Sequence, residues 1–255
     1  MSMGYVHSVE VGSFVDGPGV RYVVFLAGCP LRCQYCHNPD AWKCRGEPQD
    51  SSAVVAQIAR TAAFLKAGDG GVTVSGGEPL AQADFALAIL KGAHDLGLHT
   101  ALDTSGYMGE RVGDEMLTVT DLVLLDIKSY DPETYRRVTG VDVEPTLRLA
   151  KRLSDVCKPT WVRFVLVPGL TDDPANIEGL ARFVGRLTNV ERVEVLPFHQ
   201  MAKHKWEELR IPYPLENTPT PTPEQVQHVK DVFAAQGLPV NEGRFAPCGP
   251  TGRGG

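Results

Sequence analysis

No stretch of this chain is apolar for long. The longest uninterrupted run, Tyr22–Ala27, falls far short of the roughly 20 residues a helix needs to cross a bilayer. A basic excess is missing too. Lys and Arg number 25 against 31 Asp and Glu, a formal net charge of -6, which argues against nucleic acid as a partner. The segment Met1–Asp16 is too polar, and too poor in Lys and Arg, for a secretory leader. These absences predict a soluble, cytoplasmic protein with no membrane partner. Cysteine is scarce, six among 255 residues, which excludes a small disulfide-stapled scaffold. No internal repeat is visible. One domain over residues 1–241 is expected, followed by a Gly/Pro-rich, loose tail over 242–255.

What the chain has is alternation. Short β-branched runs, at Val20–Ala27, Gly71–Ser75, Thr100–Asp103, Leu122–Ile127, Thr160–Val167 and Val190–Leu196, are predicted as strands. Between and after them, Ser51–Ala67, Asp84–Leu96, Arg111–Leu117, Pro132–Val138, Pro145–Ser154, Asp173–Leu187 and Pro223–Gln236 carry helical patterns, the first capped by Asp50 or Ser51. Pro239–Val240 is a candidate start of a final strand, and Ile211–Pro223, with five prolines, an extended loop or lid. Six or more βα units predict an α/β protein built as a partial (β/α)6-type TIM barrel, open or splayed; a doubly wound open sheet is the competing architecture.

The polar motifs fall at strand ends. GCPLRCQYC follows the first strand, SGGEP (Ser75–Pro79) the second and DTSG (Asp103–Gly106) the third. Asp126 and Lys128 close the fourth, Arg163 lies in the fifth and His199 follows the sixth. The carboxyl ends of parallel strands are where such folds carry chemistry. The convergence of six motifs there points to one shared site.

Three of the six cysteines, Cys29, Cys33 and Cys36, crowd into eight positions with C-x3-C-x2-C spacing. A structural zinc would need a fourth ligand. His37 is adjacent to Cys36 and therefore strained, and Cys44 is the other candidate. A thioredoxin-like pair leaves the third cysteine unexplained. An iron–sulfur cubane fits better: three thiolates leave one iron open to an outside ligand.

Those cysteines, with VDGPGVR (Val15–Arg21), YCHNPD (Tyr35–Asp40), GGVTVSGGEP (Gly70–Pro79), LDTSG (Leu102–Gly106), TDLVLLDIK (Thr120–Lys128), VRFVLVPG (Val162–Gly169), LPFH (Leu196–His199) and KHKW (Lys203–Trp206), resemble the pyruvate formate-lyase activating enzymes, glycyl-radical activases of the radical S-adenosylmethionine superfamily. The resemblance runs in order from about Val6 to about Val240. It implies a [4Fe–4S] cluster on Cys29, Cys33 and Cys36, the catalytic centre. S-adenosylmethionine is chelated to the open iron and cleaved by one electron to a 5′-deoxyadenosyl radical. That radical takes a hydrogen from a glycine Cα of pyruvate formate-lyase. Flavodoxin or ferredoxin is the implied electron donor, and a monomer the implied form. By the same resemblance Tyr35, Cys36, His37, Gly76, Gly77, Asp126, Ile127, Lys128, Arg163 and His199 contact the cofactor. Gly76 and Gly77 would admit it without a Cβ in the way, and Arg163 would grip its carboxylate. Asp103, Thr104 and Asp126 resemble a monovalent-cation site. VDGPG would lie near the partner's glycine loop, although a tight entry turn into the first strand explains it equally well.

Departures narrow the reading. Only Cys44 lies between Cys36 and Gly76, so the second-cluster insert of several other glycyl-radical activases is not expected. A radical enzyme acting on a small molecule, such as a deazaguanine-ring synthase, would share the cysteines and the Gly-Gly-Glu strand but not the other motifs together. A zinc or scaffold protein is the alternative outside enzymology. Cys44 and Cys157 read as structural thiols, and Cys248 carries no functional account.

Overall fold

Period-two runs of Val, Leu and Phe make the strands, and polar caps start most of the long helices between them. In the computed structural model, which describes residues 2–240, β1 (Met3–Gly4) pairs antiparallel with β4 (Gln49–Asp50), while β2 (Val6–Ser13) pairs antiparallel with β3 (Arg21–Leu26). From β3 onward every pairing in the main sheet is parallel: β5 (Gly71–Gly76), β6 (His99–Thr104), β7 (Leu122–Asp126), β8 (Thr160–Leu166) and β9 (Val190–Pro197). The sheet order is β2-β3-β5-β6-β7-β8-β9. Six parallel strands with helical crossovers match the α/β, (β/α)6 expectation. Among the described residues β2 and β9 are its two edges, and no pairing closes the barrel.

Helix α1 (Ser51–Ala67) starts where Asp50 accepts from Ser52 N at 2.8 Å, the cap foreseen. In α2 (Ala83–Asp95) the buried Phe85, Ile89, Leu90 and Ala93 lie on one face. The helix expected over Arg111–Leu117 is instead a 3-10 turn, Gly109–Arg111, followed by α3 (Asp114–Thr118); Val112 is extended and Gly113 breaks the run. Helix α4 (Pro132–Thr139) begins at an Asp131 cap and ends at Gly140, whose φ of +79° suits glycine. Then come α5 (Glu144–Asp155), α6 (Pro174–Val184), the short α7 (Lys203–Glu208) and α8 (Pro223–Ala234), the last opened by a Thr222–Gln225 capping box. Between α8 and the last described residue, Val240 makes a single bridge to Val193 in place of the strand suggested there.

Alternate strand residues face the helices and build the main core: Tyr22, Val24 and Leu26, Val72 and Val74, Val123 and Leu125, Val162 and Phe164, all buried. Their neighbours face the concave side. The sequence reading placed no strand before Val20. Met3–Gly4 and Val6–Ser13 are strands nonetheless, β2 being a mostly solvent-facing edge. The Pro-rich segment after α7 packs down: Tyr213 lies 5.0 Å from Trp206, Leu215 is buried, and Gln200 Nε2 donates to Leu215 O at 2.7 Å. No helix among the described residues is long and apolar enough to cross a membrane. The tail over 242–255 and Cys248 lie outside the described residues.

Candidate active site

Glycine and carbonyl geometry shape the cysteine loop first. Gly28 adopts φ +87°, and its N–H donates to Ala41 O at 2.7 Å, while Cys29 N donates to Trp42 O at 3.1 Å. Glu78 N in turn donates to Gly28 O at 2.9 Å, and Arg32 and Gln34 N–H groups donate to Thr139 and Val138 carbonyls. The loop is therefore stitched to the SGGEP turn on one side and to the end of α4 on the other. Gly76 and Gly77 are required here by the chain's own packing. A Cβ on Gly76 would collide with Leu26, and one on Gly77 with Gly28 O. The backbone alone leaves no room for a side chain at either position.

The strand ends enclose a cavity of about 420 Å³. Its wall holds all three cysteines with Tyr35, His37, Gly76, Gly77, Asp103, Thr104, Asp126, Lys128, Arg163 and His199. The sequence-predicted set thus converges, with one exception. Ile127 is fully buried in the main core and does not line the cavity; following strand register, its side chain points away from its two polar neighbours. A larger surface depression of about 820 Å³ lies at the starts of α4 and α6, but none of the expected site residues lines it.

Electrostatics divide the wall. Lys128 Nζ meets Asp126 Oδ2 at 2.5 Å and stands 5.9 Å from the Tyr35 ring. Burial disfavours the Lys128 charge, but Asp126 and the neighbouring Tyr35 and Cys33 hold its pKa well above the ordinary value. Burial pushes the Cys29 thiol up to about 12, with Glu78 adding to it, and raises Cys33 and Cys36 also; Lys128 pulls against burial at all three.

Arg163 is not the free carboxylate clamp expected of it. Its Nε donates to Glu194 at 3.0 Å, one terminal nitrogen to Asp103 at 3.2 Å and the other to the carbonyl of Val15 at 2.7 Å. All three nitrogens are engaged within the chain. Burial pushes Asp103 up to about 6 against the pull of Arg163, and Ser75 Oγ also donates to it. Thr104 Oγ1 donates to Glu78 at 2.6 Å. The three oxygen-bearing residues expected around a monovalent ion are thus each already partnered within the chain.

Several working residues went unforeseen. Glu78, buried, accepts from Thr104 Oγ1, Leu80 N and both Ser105 donors, pinning β5 to β6; a lone carboxylate between Gly-Gly and Pro was its signal. Glu194 sits opposite Arg163 in the β8–β9 register, and the alternation in VERVEV placed it on a polar face. Trp206 Nε1 donates to Cys36 O at 3.0 Å, and Lys205 Nζ donates to Asn38 at 2.7 Å. Asp40 joins Lys205 and also pairs with His7 at 2.8 Å. The KHKW motif is thus a brace on the cysteine loop. His37 and His199 face each other with ring centroids 4.4 Å apart.

Two observations fit the donor set to a cluster with a bound cofactor. Three half-buried thiols share a cavity whose volume suits a small ligand, and the buried Tyr35 hydroxyl beside them has no hydrogen-bond partner in the structure. Among the described residues, no three His, Cys, Asp or Glu side chains converge tightly enough to hold a single metal ion. A cubane presents separate irons to separate thiolates, so it does not need that convergence.

Fold and site define a class. The pattern of the Radical SAM superfamily matches residues 23–182, and the chain belongs to that superfamily. Within it, the chain is 44% identical over 239 residues to the pyruvate formate-lyase-activating enzyme of Streptococcus mutans, covering 90% of each chain. It is 45% identical over 236 residues to that of Staphylococcus epidermidis, covering 89% of this chain and 94% of the relative. It is a member of the pyruvate formate-lyase-activating enzyme family. Among solved structures, a domain of such an enzyme from Bacteroides vulgatus superposes with TM-score 0.57 at 29% identity, over 68% of this chain and 98% of that one. A radical SAM methyltransferase from Sphaerobacter thermophilus shares the fold, with TM-score 0.66 at 16% identity over 91% of this chain and 67% of its own.

Proposed function

We propose that this chain, as a single cytoplasmic domain over residues 1–241, installs a glycyl radical on pyruvate formate-lyase. The observation that carries the reading is the convergence of the three thiols with Lys128, Asp126 and His199 on one cavity, in a chain 44% identical to activating enzymes across nine-tenths of its length. A [4Fe–4S] cluster on Cys29, Cys33 and Cys36, with S-adenosylmethionine bound beside it, supplies one-electron, hydrogen-abstracting chemistry when loaded.

The chain's own residues bind and orient. Lys128, already near Asp126, offers an ammonium to a carboxylate, and Asp126 a carboxylate to an amino group, the two ends of a zwitterionic methionine moiety. His37 and His199 form one rim of the cavity and supply ring faces for a planar base or a ribose edge. Tyr35 contributes the unpartnered hydroxyl. Arg163 acts at one remove: it fixes Val15 O and Asp103 and so sets the VDGPG turn against the cavity, where Asp16 joins the wall. A monovalent ion near Asp103, Thr104 and Asp126 would bind only if Lys128 turned from Asp126 toward the cofactor. Flavodoxin or ferredoxin serves as electron donor, and the chain works as a monomer.

The test is anaerobic. The reconstituted protein is reduced, given S-adenosylmethionine and pyruvate formate-lyase, and examined by electron spin resonance. A glycine-centred doublet on the partner is expected. Cofactor cleavage without the doublet would move the substrate to another protein or a small molecule. A colourless protein that binds zinc and cleaves nothing would overturn the radical reading.

A further inference from the structure

The outer side of the cysteine loop has a charge unlike that of the rest of the chain. Against the net -6 of the whole sequence, the loop and the irregular segment that follows it expose Arg32, Lys43 and Arg45. Among the described residues none of the three takes part in an ion pair. The one carboxylate between them, Asp40, is occupied by His7 and Lys205.

At the centre of this basic edge is Trp42. It lines the cavity together with Cys29, Cys33 and Cys36. Its indole meets Trp206 edge-on at 5.3 Å and carries the Arg32 guanidinium at 4.9 Å from its ring centroid. One side chain therefore borders the thiol cavity on the inside and reaches a cationic surface on the outside. The 3-10 turn Pro39–Trp42 lies directly on the cysteine loop. Gly28 and Cys29 donate to Ala41 and Trp42 carbonyls, and the Cys44 sulfur is 2.9 Å from where a Cβ on Gly28 would stand.

We propose that Arg32, Lys43 and Arg45, grouped around Trp42, form the docking surface for a small acidic one-electron carrier protein. The inference rests on the cluster reading of the three cysteines. Such a carrier would give up one electron to the cluster side of Trp42, with no bond made or broken and no proton moved. An unpaired basic patch repels a basic partner and steers an acidic one toward it. The patch also abuts the ligand loop itself, so docking there shortens the path to the thiolates.

The experiment uses the reconstituted full chain and flavodoxin. Lys43→Glu with Arg45→Glu is compared with Lys151→Glu with Arg186→Glu. The second pair makes the same change in net charge at exposed positions leading toward the amino ends of β8 and β9. Calorimetry measures flavodoxin affinity with and without the cluster loaded. S-adenosylmethionine cleavage is driven in parallel by reduced flavodoxin and by dithionite. The Lys43/Arg45 pair should weaken flavodoxin binding about tenfold or more at low salt, with the deficit shrinking as salt is raised. Its flavodoxin-driven rate should fall in step and its dithionite-driven rate should hold. The Lys151/Arg186 pair should change each by less than about twofold. Unchanged flavodoxin affinity, or equal loss in both pairs, would overturn the surface. A wild-type protein that cleaves nothing even with dithionite would instead overturn the cluster reading, and the affinity comparison would still decide the surface.

Discussion

Along β8, Val162, Phe164 and Leu166 point toward the helices, while Trp161, Arg163 and Val165 point into the concave side. The same division holds across the sheet. The helix-facing residues are mostly apolar and join one continuous core, with Thr100 and Thr160 buried among them and hydrogen-bonded. The concave residues change along their length: Arg21 with Thr73 at 3.0 Å near the amino ends, Ala101, Leu122, Leu124 and Trp161 in the middle, then Asp103, Asp126, Arg163 and Glu194 at the carboxyl ends. Both faces are largely hidden from water, so burial does not separate them. What separates them is pairing. Every charge on the concave face meets a partner, which is the condition for keeping it there. The helix side stores stability, and the concave side spends part of it on a charged site.

The sharpest way to test that contrast is Cys33→Ala. Iron per chain and visible absorption should fall to background and cofactor cleavage below detection, while the thermal midpoint of the metal-free protein stays within a few degrees, about 1 kcal/mol or less. Cleavage retained in this variant would remove Cys33 from the ligand set. Next come two neighbours on β8 that face opposite ways. Phe164→Ala should cost about 3–5 kcal/mol in urea unfolding, with iron uptake by the folded fraction unaffected. Arg163→Met should cost a comparable amount, about 3–5 kcal/mol, because Asp103 and Glu194 lose their shared cation; adding Glu194→Gln should restore part of it. If the second substitution restores nothing, the pair with Glu194 is not what holds Arg163. Smaller still, Lys128→Ala should weaken S-adenosylmethionine binding about tenfold, the scale of one charge-assisted contact. Calorimetry on the loaded enzyme would show this at unchanged iron content; loss of iron would make Lys128 a support for the cluster loop instead.

Much of this was legible in the chain. The parallel strands β3 and β5 to β9 and most of the long helices follow from apolar β-branched runs and helical patterns, and Asp50, one of two candidate caps of α1, from residue type; the short β4 was not foreseen. The site converged because motifs at six strand ends must meet in a parallel fold. What escaped has physical reasons. β2 reads VHSVEVGS, a solvent-facing edge with no buried side to write a hydrophobic stripe. The α3 region broke at Val112–Gly113, where a local turn outweighed the helical pattern. The partners of Arg163 depended on strand register and on a loop carbonyl 148 residues away, and no local pattern encodes such a distance. The glycines were marked correctly, and only the assembled fold shows that β3 crowds Gly76 and the cysteine loop crowds Gly77.

The brace on the cysteine loop has a consequence for the timing of assembly. Strands β2, β3 and β5 to β9 pair in the order in which they are made, so the main sheet can extend as the chain is synthesised, amino-terminal parts first. The loop that bears the cysteines emerges early, yet Lys205 and Trp206, which fasten Asn38 and Cys36, arrive some 170 residues later. Until they do, the loop has its stitches to the glycine turn and to α4 but not its last anchor. The cysteine loop is therefore among the first parts written and among the last to be locked.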